Sequence, residues 1–251
     1  MLEPLLTAVA AVRSVAAYVL VSLYVLVVGP PGIVIALLTG RPWLLYWLGR
    51  QGVRLGLTTV GIRYRVAGSH HVDRERASVY SVNHASNLEP PVVYLVLAAA
   101  HPKLKILYKA EIHKIPVLST VFDTAGFVPI QRRNREQSRQ AIDAAAASLR
   151  AGNSFLIFPE GTRSRTGELL PFKKGGFVMA DRGRAVIVPM TILGTRQAMR
   201  RGSPIIRPVT VTVRIGAPIV ASSFESGPRD AVIQATRGAM LDLLAAGPLD
   251  R

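Results

Sequence analysis

A long stretch without charge near the N-terminus constrains this chain more than any other feature. Between Arg13 and Arg41 no side chain is charged, and Gly-Pro-Pro-Gly at 29–32 divides the stretch into apolar runs over 14–28 and 33–39. A helix rises about 1.5 Å per residue and a bilayer core is roughly 30 Å thick, so a helix over the first run is too short to cross. Because proline interrupts helical hydrogen bonding, we predict a hairpin that dips into one leaflet and returns.

The flanks of this stretch are basic and aromatic. Arginine at both ends keeps both ends on the cytoplasmic side under the positive-inside rule. Residues typical of a membrane interface come next, namely Trp43, Tyr46, Trp47, Arg50 and Arg54. We therefore expect residues 1–58 to form a membrane-associated helical hairpin with an interfacial segment, and the rest of the chain to lie on the cytoplasmic face.

Two other interpretations fit a short apolar run near the N-terminus. A secretory signal peptide needs small residues at a cleavage site just after the run, and Gly29-Pro30-Pro31 is a poor one. A pair of buried core helices is compatible with runs of this length. We favour insertion into a membrane over both.

Composition limits the partners of the chain. Of its 251 residues, 49% are hydrophobic and 18% are charged, and the net charge is +16. A chain so apolar is neither a disordered basic tail nor a histone-like protein that binds by charge density. The lack of cysteine excludes disulfide bonds, a thiolate nucleophile and cysteine-ligated metal sites. The positive charge indicates an anionic partner: a phosphorylated metabolite, an anionic lipid or nucleic acid.

The remainder of the chain, residues 59–251, is predicted to be one α/β domain. Short apolar or alternating runs predict strands over 62–66, 78–82, 104–108, 127–130, 155–158, 186–191 and 209–215. Helices are predicted between several strands, most clearly over 135–150, where Asn134 is the N-cap, and over 230–244. Strands that alternate with helices favour a mixed, largely parallel sheet flanked by helices.

The first segment that carries chemistry follows directly on the strand over 78–82. It reads Asn-His-Ala-Ser-Asn-Leu-Glu at 83–89 and is followed by two prolines. Histidine is the natural general base near neutral pH, and a carboxylate can fix its tautomer. His84 and Glu89 would point apart on a helix, so they meet only if the chain turns between them, which the intervening Ser and Asn favour. Taken alone, such a pair is also common on solvated surfaces.

A second polar segment follows the strand over 155–158. Phe-Pro-Glu-Gly-Thr-Arg-Ser at 158–164 predicts a tight loop rich in hydrogen-bond donors, in which Arg163 could hold a phosphate through two parallel hydrogen bonds. Glu160 cannot attract a phosphate, so it would orient an arginine or a substrate hydroxyl. Lys173 and the residues after it add positive charge and backbone room. The alternative is a solvated basic loop.

Two further segments are less specific. Lys109 ends one strand, and a later strand is entered after Gly126 and left at Arg132, which could supply a second cationic clamp. Val188-Pro189 lies within the strand over 186–191, where proline indicates an edge strand or a bulge.

Taken in their order along the chain, the four segments resemble the motifs of the glycerolipid acyltransferase family, the lysophosphatidic acid and related 1-acylglycerol-phosphate acyltransferases. The family's first motif is Asn-His, four residues and an acid, usually Asp, where this chain has Glu89. Its third, Phe-Pro-Glu-Gly-Thr-Arg-Ser, is matched at every position of 158–164. Its second falls on Gly126 and Arg132, and its fourth, more loosely, on Val188-Pro189.

The resemblance covers about residues 75–195 and implies the acyltransferase fold, with acyl transfer that needs no metal, cofactor or covalent enzyme intermediate. His84 would take the proton from a lysophospholipid hydroxyl while Glu89 orients the imidazole, and that hydroxyl would attack the thioester of acyl-CoA or acyl carrier protein. The resemblance places the acceptor's phosphate and glycerol on Arg132, Glu160, Gly161, Thr162 and Arg163, with Asn83, Lys109, Gly126, Lys173 and Pro189 in support.

The expected activity is that of a membrane-bound 1-acylglycerol-3-phosphate acyltransferase, whose product is phosphatidic acid. An enzyme of the same family could instead act on glycerol 3-phosphate, another lysophospholipid or a glycolipid, an option to which Glu in place of Asp adds weight. A non-catalytic basic protein could bind anionic membrane or nucleic acid, but the ordered motifs argue against it. The expected partners are thus the lysophospholipid, the acyl donor and an anionic membrane surface, without nucleic acid.

Overall fold

Eight strands form one mixed sheet in a computed structural model that describes residues 2–131, 134–220 and 230–249. The strands are β1 (Arg63–Ala67), β2 (Ser78–Val82), β3 (Leu104–Lys109), β4 (Val128–Ile130), β5 (Ser154–Ile157), β6 (Val186–Leu193), β7 (Thr210–Ile215) and β8 (Ile219–Val220). Their order is β1-β7-β6-β2-β5-β3-β4, with β8 beside β6. Strands β2 to β6 are parallel, whereas β7 and β8 are antiparallel to β6. The predicted sheet is confirmed, and only β8 has no predicted counterpart.

Helices cover both faces of this sheet. They are α1 (Leu2–Thr39), α2 (Trp43–Val60), α3 (Glu89–Val96), α4 (Pro116–Thr124), α5 (Arg135–Arg150), α6 (Gly175–Gly183), α7 (Thr195–Ala198) and α8 (Asp230–Ala245). The predicted cap of α5 is confirmed, because Asn134 Oδ1 accepts a hydrogen bond from the Gln137 N–H at 3.0 Å. The predicted helix over 230–244 is α8.

Side chains of the central strands alternate between two apolar cores, one on each face of the sheet. Tyr80 and Leu156 pack with residues of α1, α2 and α3, whereas Val79 and Phe155 pack with residues of α5, α6 and α8. This alternation is the two-residue period of a strand. Because both faces are covered, β2 and β5 are buried throughout, which explains why they carry no charged residue and only small serines among their apolar side chains.

The predicted turn within the N-terminal apolar stretch is wrong. Helix α1 continues through Pro30-Pro31, and the chain turns at 40–42, before α2. Two backbone donors are lost at the prolines, but packing holds the helix on both sides of them. Gly29 lies against Val117 of α4, and the next turn of α1 packs on Leu45 of α2. The hairpin is therefore formed by α1 and α2.

Helix α1 exposes apolar side chains along its whole length. Leu5, Val27 and Leu38 are 62%, 68% and 82% exposed. Within the described residues α1 is the one helix long and apolar enough to cross a membrane, and only 11% of its apolar window is buried. Its other side contacts the rest of the protein, where Ser14 Oγ accepts a hydrogen bond from the Ile206 N–H at 2.8 Å. A helix of a soluble core would bury far more of this surface, so the core-helix alternative does not fit α1.

Pro189 lies in an interior strand, so of the two predicted positions, an edge strand or a bulge, the edge strand is wrong. On one side of β6 it stands opposite Ser81 of β2, and on the other side the ladder passes from β8 at Ile187 to β7 at Met190. The Pro189 C=O accepts a hydrogen bond from the Gly216 N–H at 2.8 Å on this second side. The N and C=O of one strand residue point to the same side of the strand, so the N–H that proline lacks would also point to this second side. It would lie at the junction between β8 and β7, where no ladder hydrogen bond is lost.

The five parallel strands end at a common edge, where β2 lies between β5 and β6. The chain passes from β2 towards β3 on one side, and it returns from β5 to β6 on the other, so the strand order reverses at β2. In open α/β sheets, ligands bind in the crevice outside the carboxyl ends of the strands beside such a reversal. The segments that follow β2, β5 and β6 meet at this edge.

Candidate active site

The loop that follows β2 is held by its neighbours from both sides. Towards β6, the Asn83 amide donates to the Ile192 C=O at 3.1 Å and accepts from the Ile192 N–H at 2.7 Å. Towards β5, the His84 N–H donates to Glu160 Oε1 at 2.7 Å, and the His84 C=O accepts from the Ser164 N–H at 2.7 Å. The position of His84 is therefore fixed through its main chain.

The predicted meeting of His84 and Glu89 is confirmed. His84 Nδ1 lies 2.7 Å from Glu89 Oε2, because the chain turns between the end of β2 and the start of α3. An ionised carboxylate only accepts hydrogen bonds, so Nδ1 carries the proton and Nε2 is the nitrogen that can take one. The His84 side chain is 16% exposed and stacks on Phe158 with ring centres 4.3 Å apart. This is the geometry of a general base whose tautomer is set by a carboxylate.

Glu89 is fully buried, so its charge requires hydrogen-bond donors around it. The Ala85 and Ser86 N–H groups each donate to Oε1 at 2.9 Å, and the Ala85 N–H is also 3.0 Å from Oε2. The Thr195 hydroxyl donates to Oε1 at 2.8 Å. The side chain of Glu89 is one methylene longer than that of Asp and still reaches His84. Its Oε2 faces the imidazole, while the donors on Oε1 hold the carboxylate from the side away from His84.

Glu160 faces the protein interior and is 2% exposed. Its Oε1 accepts from the His84 N–H, and its Oε2 accepts from the Leu170 N–H at 3.0 Å. Burial raises the pKa of the Glu160 carboxyl, and the two backbone hydrogen bonds oppose this rise. One oxygen therefore braces the His84 loop and the other braces the segment after β5, and this buried position does not fit the predicted role of orienting an arginine or a substrate hydroxyl.

The rest of the loop after β5 lies at the same edge of the sheet. Gly161 has φ +68°, and a Cβ there would lie 3.2 Å from Lys173 Cγ, so this turn favours glycine. The Lys173 N–H donates to the Pro159 C=O at 2.7 Å, which folds the segment back on itself. Arg163 is half-buried and Thr162 is exposed. Four predicted binding residues are thus brought to the edge that carries the histidine.

The other predicted site residues are spread around the sheet. Lys109 ends β3 at the same edge, where its Nζ lies 3.3 Å from Glu111 Oε1. Gly126 precedes β4 at the opposite edge, with φ +73° in the turn that follows α4. Pro189 lies within the sheet. Arg132 lies outside the described residues.

Sequence reasoning missed Thr195, whose side chain contacts the Glu89 carboxylate of the His84–Glu89 pair, called the dyad from here on. Thr195 follows Gly194 directly after β6 and is 1% exposed. Ser86 was predicted only to favour the turn, and its hydroxyl in addition donates to the Met199 C=O at 2.9 Å. A polar residue immediately after an apolar strand is the signal that pointed to His84, and the same signal is present at Thr195.

An apolar cavity of about 460 Å³ lies between the N-terminal hairpin and the sheet. Its wall includes Val21 of α1, Val53 of α2, and Leu88 and Pro90 on either side of Glu89. Small-molecule pockets have volumes of roughly 300–1,000 Å³. The cavity therefore offers ligand-sized apolar volume next to the loop that carries the dyad.

Relatives of this chain carry a shared name. The 1-acyl-sn-glycerol-3-phosphate acyltransferase of Limnanthes douglasii is 34% identical over 193 residues, which are 75% of this chain and 67% of that protein. The protein of the same name from Borreliella burgdorferi is 30% identical over 146 residues, which are 58% of this chain and 57% of that protein.

A solved structure and a family model agree with these relatives. The crystal structure of the 1-acyl-sn-glycerophosphate (LPA) acyltransferase from Thermotoga maritima superposes with a TM-score of 0.78 at 22% identity, covering 94% of this chain and 98% of that one. The family model named Acyltransferase matches residues 63–193. The resemblance seen in the motifs is confirmed, and the chain belongs to the acyltransferase family.

Proposed function

We propose that the enzyme transfers an acyl chain from acyl-CoA or acyl carrier protein to the free hydroxyl of 1-acyl-sn-glycerol 3-phosphate and so forms phosphatidic acid. One observation carries the proposal: His84 Nδ1 lies 2.7 Å from Glu89 Oε2, at the edge of the sheet that also carries the Arg163 loop. Similarity to proteins named 1-acyl-sn-glycerol-3-phosphate acyltransferase supports this choice of acceptor.

The dyad accounts for every proton in this reaction. His84 Nε2 takes the hydroxyl proton as the acceptor oxygen bonds to the thioester carbon. The Nδ1–H bond to Glu89 stabilises the imidazolium that forms. When the tetrahedral intermediate collapses, the C–S bond breaks and the sulfur takes the proton back from Nε2. The histidine is restored, and no enzyme group is acylated.

The acceptor phosphate is assigned to the loop after β5. A guanidinium matches the oxygens of a phosphate monoester in charge and in shape, and hydroxyl and ammonium groups add donors. Arg163, Thr162 and Lys173 supply these groups at the dyad's edge of the sheet. Glu160 is excluded from this site because its carboxylate is buried and engaged by backbone N–H groups.

The apolar cavity is assigned to an acyl chain. Its four tyrosines present their rings, since each hydroxyl donates to a backbone carbonyl: Tyr18 to Pro204 at 2.8 Å, Tyr24 to Leu48 at 2.9 Å, Tyr46 to Leu104 at 2.7 Å and Tyr94 to Tyr46 at 3.2 Å. Each buried methylene contributes about 0.8 kcal/mol to binding. A wall of this kind retains a long hydrocarbon and offers nothing to a charged headgroup.

Helices α1 and α2 are placed at a membrane. Helix α1 has 38 residues and is therefore about 57 Å long, nearly twice the hydrocarbon thickness of roughly 30 Å. It is tied to the folded domain near its start by Ser14 and past its middle by Gly29, so it cannot cross a bilayer without the domain. We therefore place its exposed apolar side in one leaflet, with the active site on the cytoplasmic face.

Charge introduced on this exposed side is expected to weaken membrane binding. Glutamate at both Val27 and Leu38 should lower the partition coefficient onto neutral vesicles in high salt by at least about tenfold, because charged side chains are costly in a bilayer. Flotation of purified protein with vesicles measures this. Val220→Glu, which makes the same change at a 44% exposed valine of β8, should bind as the unaltered protein does. Equal flotation of all three proteins would contradict the placement.

Product analysis tests the proposed reaction. The purified enzyme is supplied with palmitoyl-CoA or palmitoyl acyl carrier protein, and with lysophosphatidic acid, glycerol 3-phosphate, lysophosphatidylcholine or a monoacylated glycolipid. We expect phosphatidic acid, identified by mass, as the main product. If only another acceptor is acylated, that acceptor takes the place of lysophosphatidic acid in the proposal. If no acceptor is acylated, the proposal is overturned.

Removal of the Arg163 guanidinium is expected to weaken acceptor binding. Arg163→Ala should raise the acceptor KM by about 10- to 100-fold, because charge-assisted hydrogen bonds to phosphate are lost, and kcat should change much less. Steady-state kinetics with varied lysophosphatidic acid measures both. Arg150→Ala removes the same charge at the far end of α5 and should leave the KM unchanged. An unchanged KM in Arg163→Ala would argue against a phosphate role.

A further inference from the structure

Within the described residues, two side chains donate hydrogen bonds to the Glu89 carboxylate: His84 and the hydroxyl of Thr195. We propose that Thr195 is a positioning residue that sets the orientation of the Glu89 carboxylate, so that Oε2 faces His84 throughout the reaction. This inference rests on the proposed function, since it concerns the same histidine base. It adds to that function a residue outside the four motifs.

The donors around Glu89 divide between its two oxygens. Oε1 receives the Ser86 N–H at 2.9 Å and the Thr195 hydroxyl at 2.8 Å, while Oε2 receives His84 Nδ1 at 2.7 Å. The Ala85 N–H is shared, at 2.9 and 3.0 Å, and therefore does not distinguish the oxygens. Thr195 thus helps to decide which oxygen is left for the histidine.

Burial makes this hydroxyl hard to replace. Glu89 is 0% and Thr195 is 1% exposed, so water from the surface does not substitute readily for a lost donor. A buried acceptor that loses its partner bears the full desolvation penalty, which is larger for a charged group. Loss of the Thr195 hydroxyl would leave Oε1 with backbone N–H donors alone and so loosen the orientation of the carboxylate towards His84.

The backbone places Thr195 independently of Glu89. Gly194 has φ +93°, and a Cβ there would lie 3.1 Å from the Thr210 C=O, so the chain makes a tight turn directly after β6. Helix α7 then begins at Thr195, whose C=O accepts from the Met199 N–H at 2.9 Å. The Met199 C=O in turn accepts from the Ser86 hydroxyl at 2.9 Å, which ties α7 to the histidine loop. The hydroxyl is thereby held in place before it meets the carboxylate.

The presence of glutamate at position 89, where the family usually has aspartate, explains why this contact is needed. Glutamate has one more rotatable bond than aspartate, so its carboxylate has more orientations to lose before it can hold an imidazole. The donor from α7 restricts that freedom on the side away from His84. Thr195 therefore compensates for the longer arm at Glu89.

Kinetics of matched threonine variants tests the proposal in the full-length enzyme, with palmitoyl-CoA and lysophosphatidic acid. Thr195→Val should lower kcat by about 10- to 100-fold, with both KM values within about twofold, and Thr195→Ser should retain most of the activity. Thr191→Val is the control, because Thr191 is also a buried threonine of this region, and its Oγ1 has no hydrogen-bond partner among the described residues. The control should keep the unaltered kcat.

A second background separates positioning from a structural role. In His84→Ala enzyme, adding Thr195→Val should change the residual rate by less than about twofold, because the path through the imidazole is already removed. Rates are divided by the folded fraction from circular dichroism, and Thr195→Ala replaces Thr195→Val if the latter does not fold. An unchanged kcat in Thr195→Val, or the same loss in both backgrounds, would overturn the inference. Absence of transfer by the unaltered enzyme would instead refute the proposed function.

Discussion

Replacement of His84 by alanine is expected to lower kcat by about 10²- to 10⁴-fold, the contribution typical of a positioned general base. The side chain is the proposed proton acceptor, and Nε2 is the nitrogen left for this task once Nδ1 is bound to Glu89. The loop should keep its shape in the variant, because the His84 main chain retains its hydrogen bonds to Glu160 and to the Ser164 N–H. The measurement is the rate of phosphatidic acid formation at saturating donor and acceptor.

Two comparisons make this result specific. His70→Ala removes an exposed histidine in the turn after β1 and should leave the rate unchanged. Acceptor and donor KM values should stay within about threefold in His84→Ala, since the imidazole acts in the transition state more than in binding. A rate within about tenfold of that of the unaltered enzyme would refute the general-base mechanism.

The sequence was sufficient for the sheet because the strand signals are local. Runs such as 78–82 and 154–157 are short, carry no charge, consist mainly of apolar residues and are followed by polar or turn-forming residues, so their position and type can be read directly. The cap at Asn134 is equally local. The dyad was predictable for a related reason, since the turn that closes it lies within seven residues, 83–89.

The predictions that failed depend on contacts between distant parts of the chain. Nothing near Pro30-Pro31 shows that α4 and α2 will pack on both sides of the prolines and hold one helix. The interior position of Pro189 depends on the change from β8 to β7, which only the assembled sheet creates. Tertiary packing overrides local preference in both cases.

The assignment of side chains within the site was limited in the same way. Glu160 belongs to a highly specific motif, yet the motif does not show that both carboxylate oxygens face backbone N–H groups. Thr195 is more than a hundred residues from Glu89 in the chain, and only the pairing of β6 with β2 brings the two together. A sequence motif identifies which residues matter, whereas the pairing of strands decides which of them face substrate.

Replacement of Glu89 by glutamine should reduce kcat nearly as far as the loss of His84 does, by about 10²- to 10⁴-fold. Glutamine is similar in shape, but one of its two terminal atoms is an NH2 group, and both Glu89 oxygens accept hydrogen bonds in the structure. If the NH2 group meets the Ala85 and Ser86 N–H groups, donors oppose donors and the loop is strained.

If the NH2 group instead meets His84, Nδ1 must accept, and the proton moves to Nε2, where the base is needed. The first arrangement displaces the histidine together with its strained loop, and the second places a proton on the nitrogen that should accept one, so either lowers kcat while the imidazole remains. Glu89→Asp keeps the charge but shortens the arm, so its kcat should lie between that of the unaltered enzyme and that of Glu89→Gln. As a control, Glu168→Gln in the exposed part of the loop after β5 should be fully active. The kcat of His84→Ala should not fall further when Glu89→Gln is added, because both substitutions disable one unit. A Glu89→Gln enzyme with unaltered kcat would show that the carboxylate merely supports the loop, and that the histidine acts without a fixed tautomer.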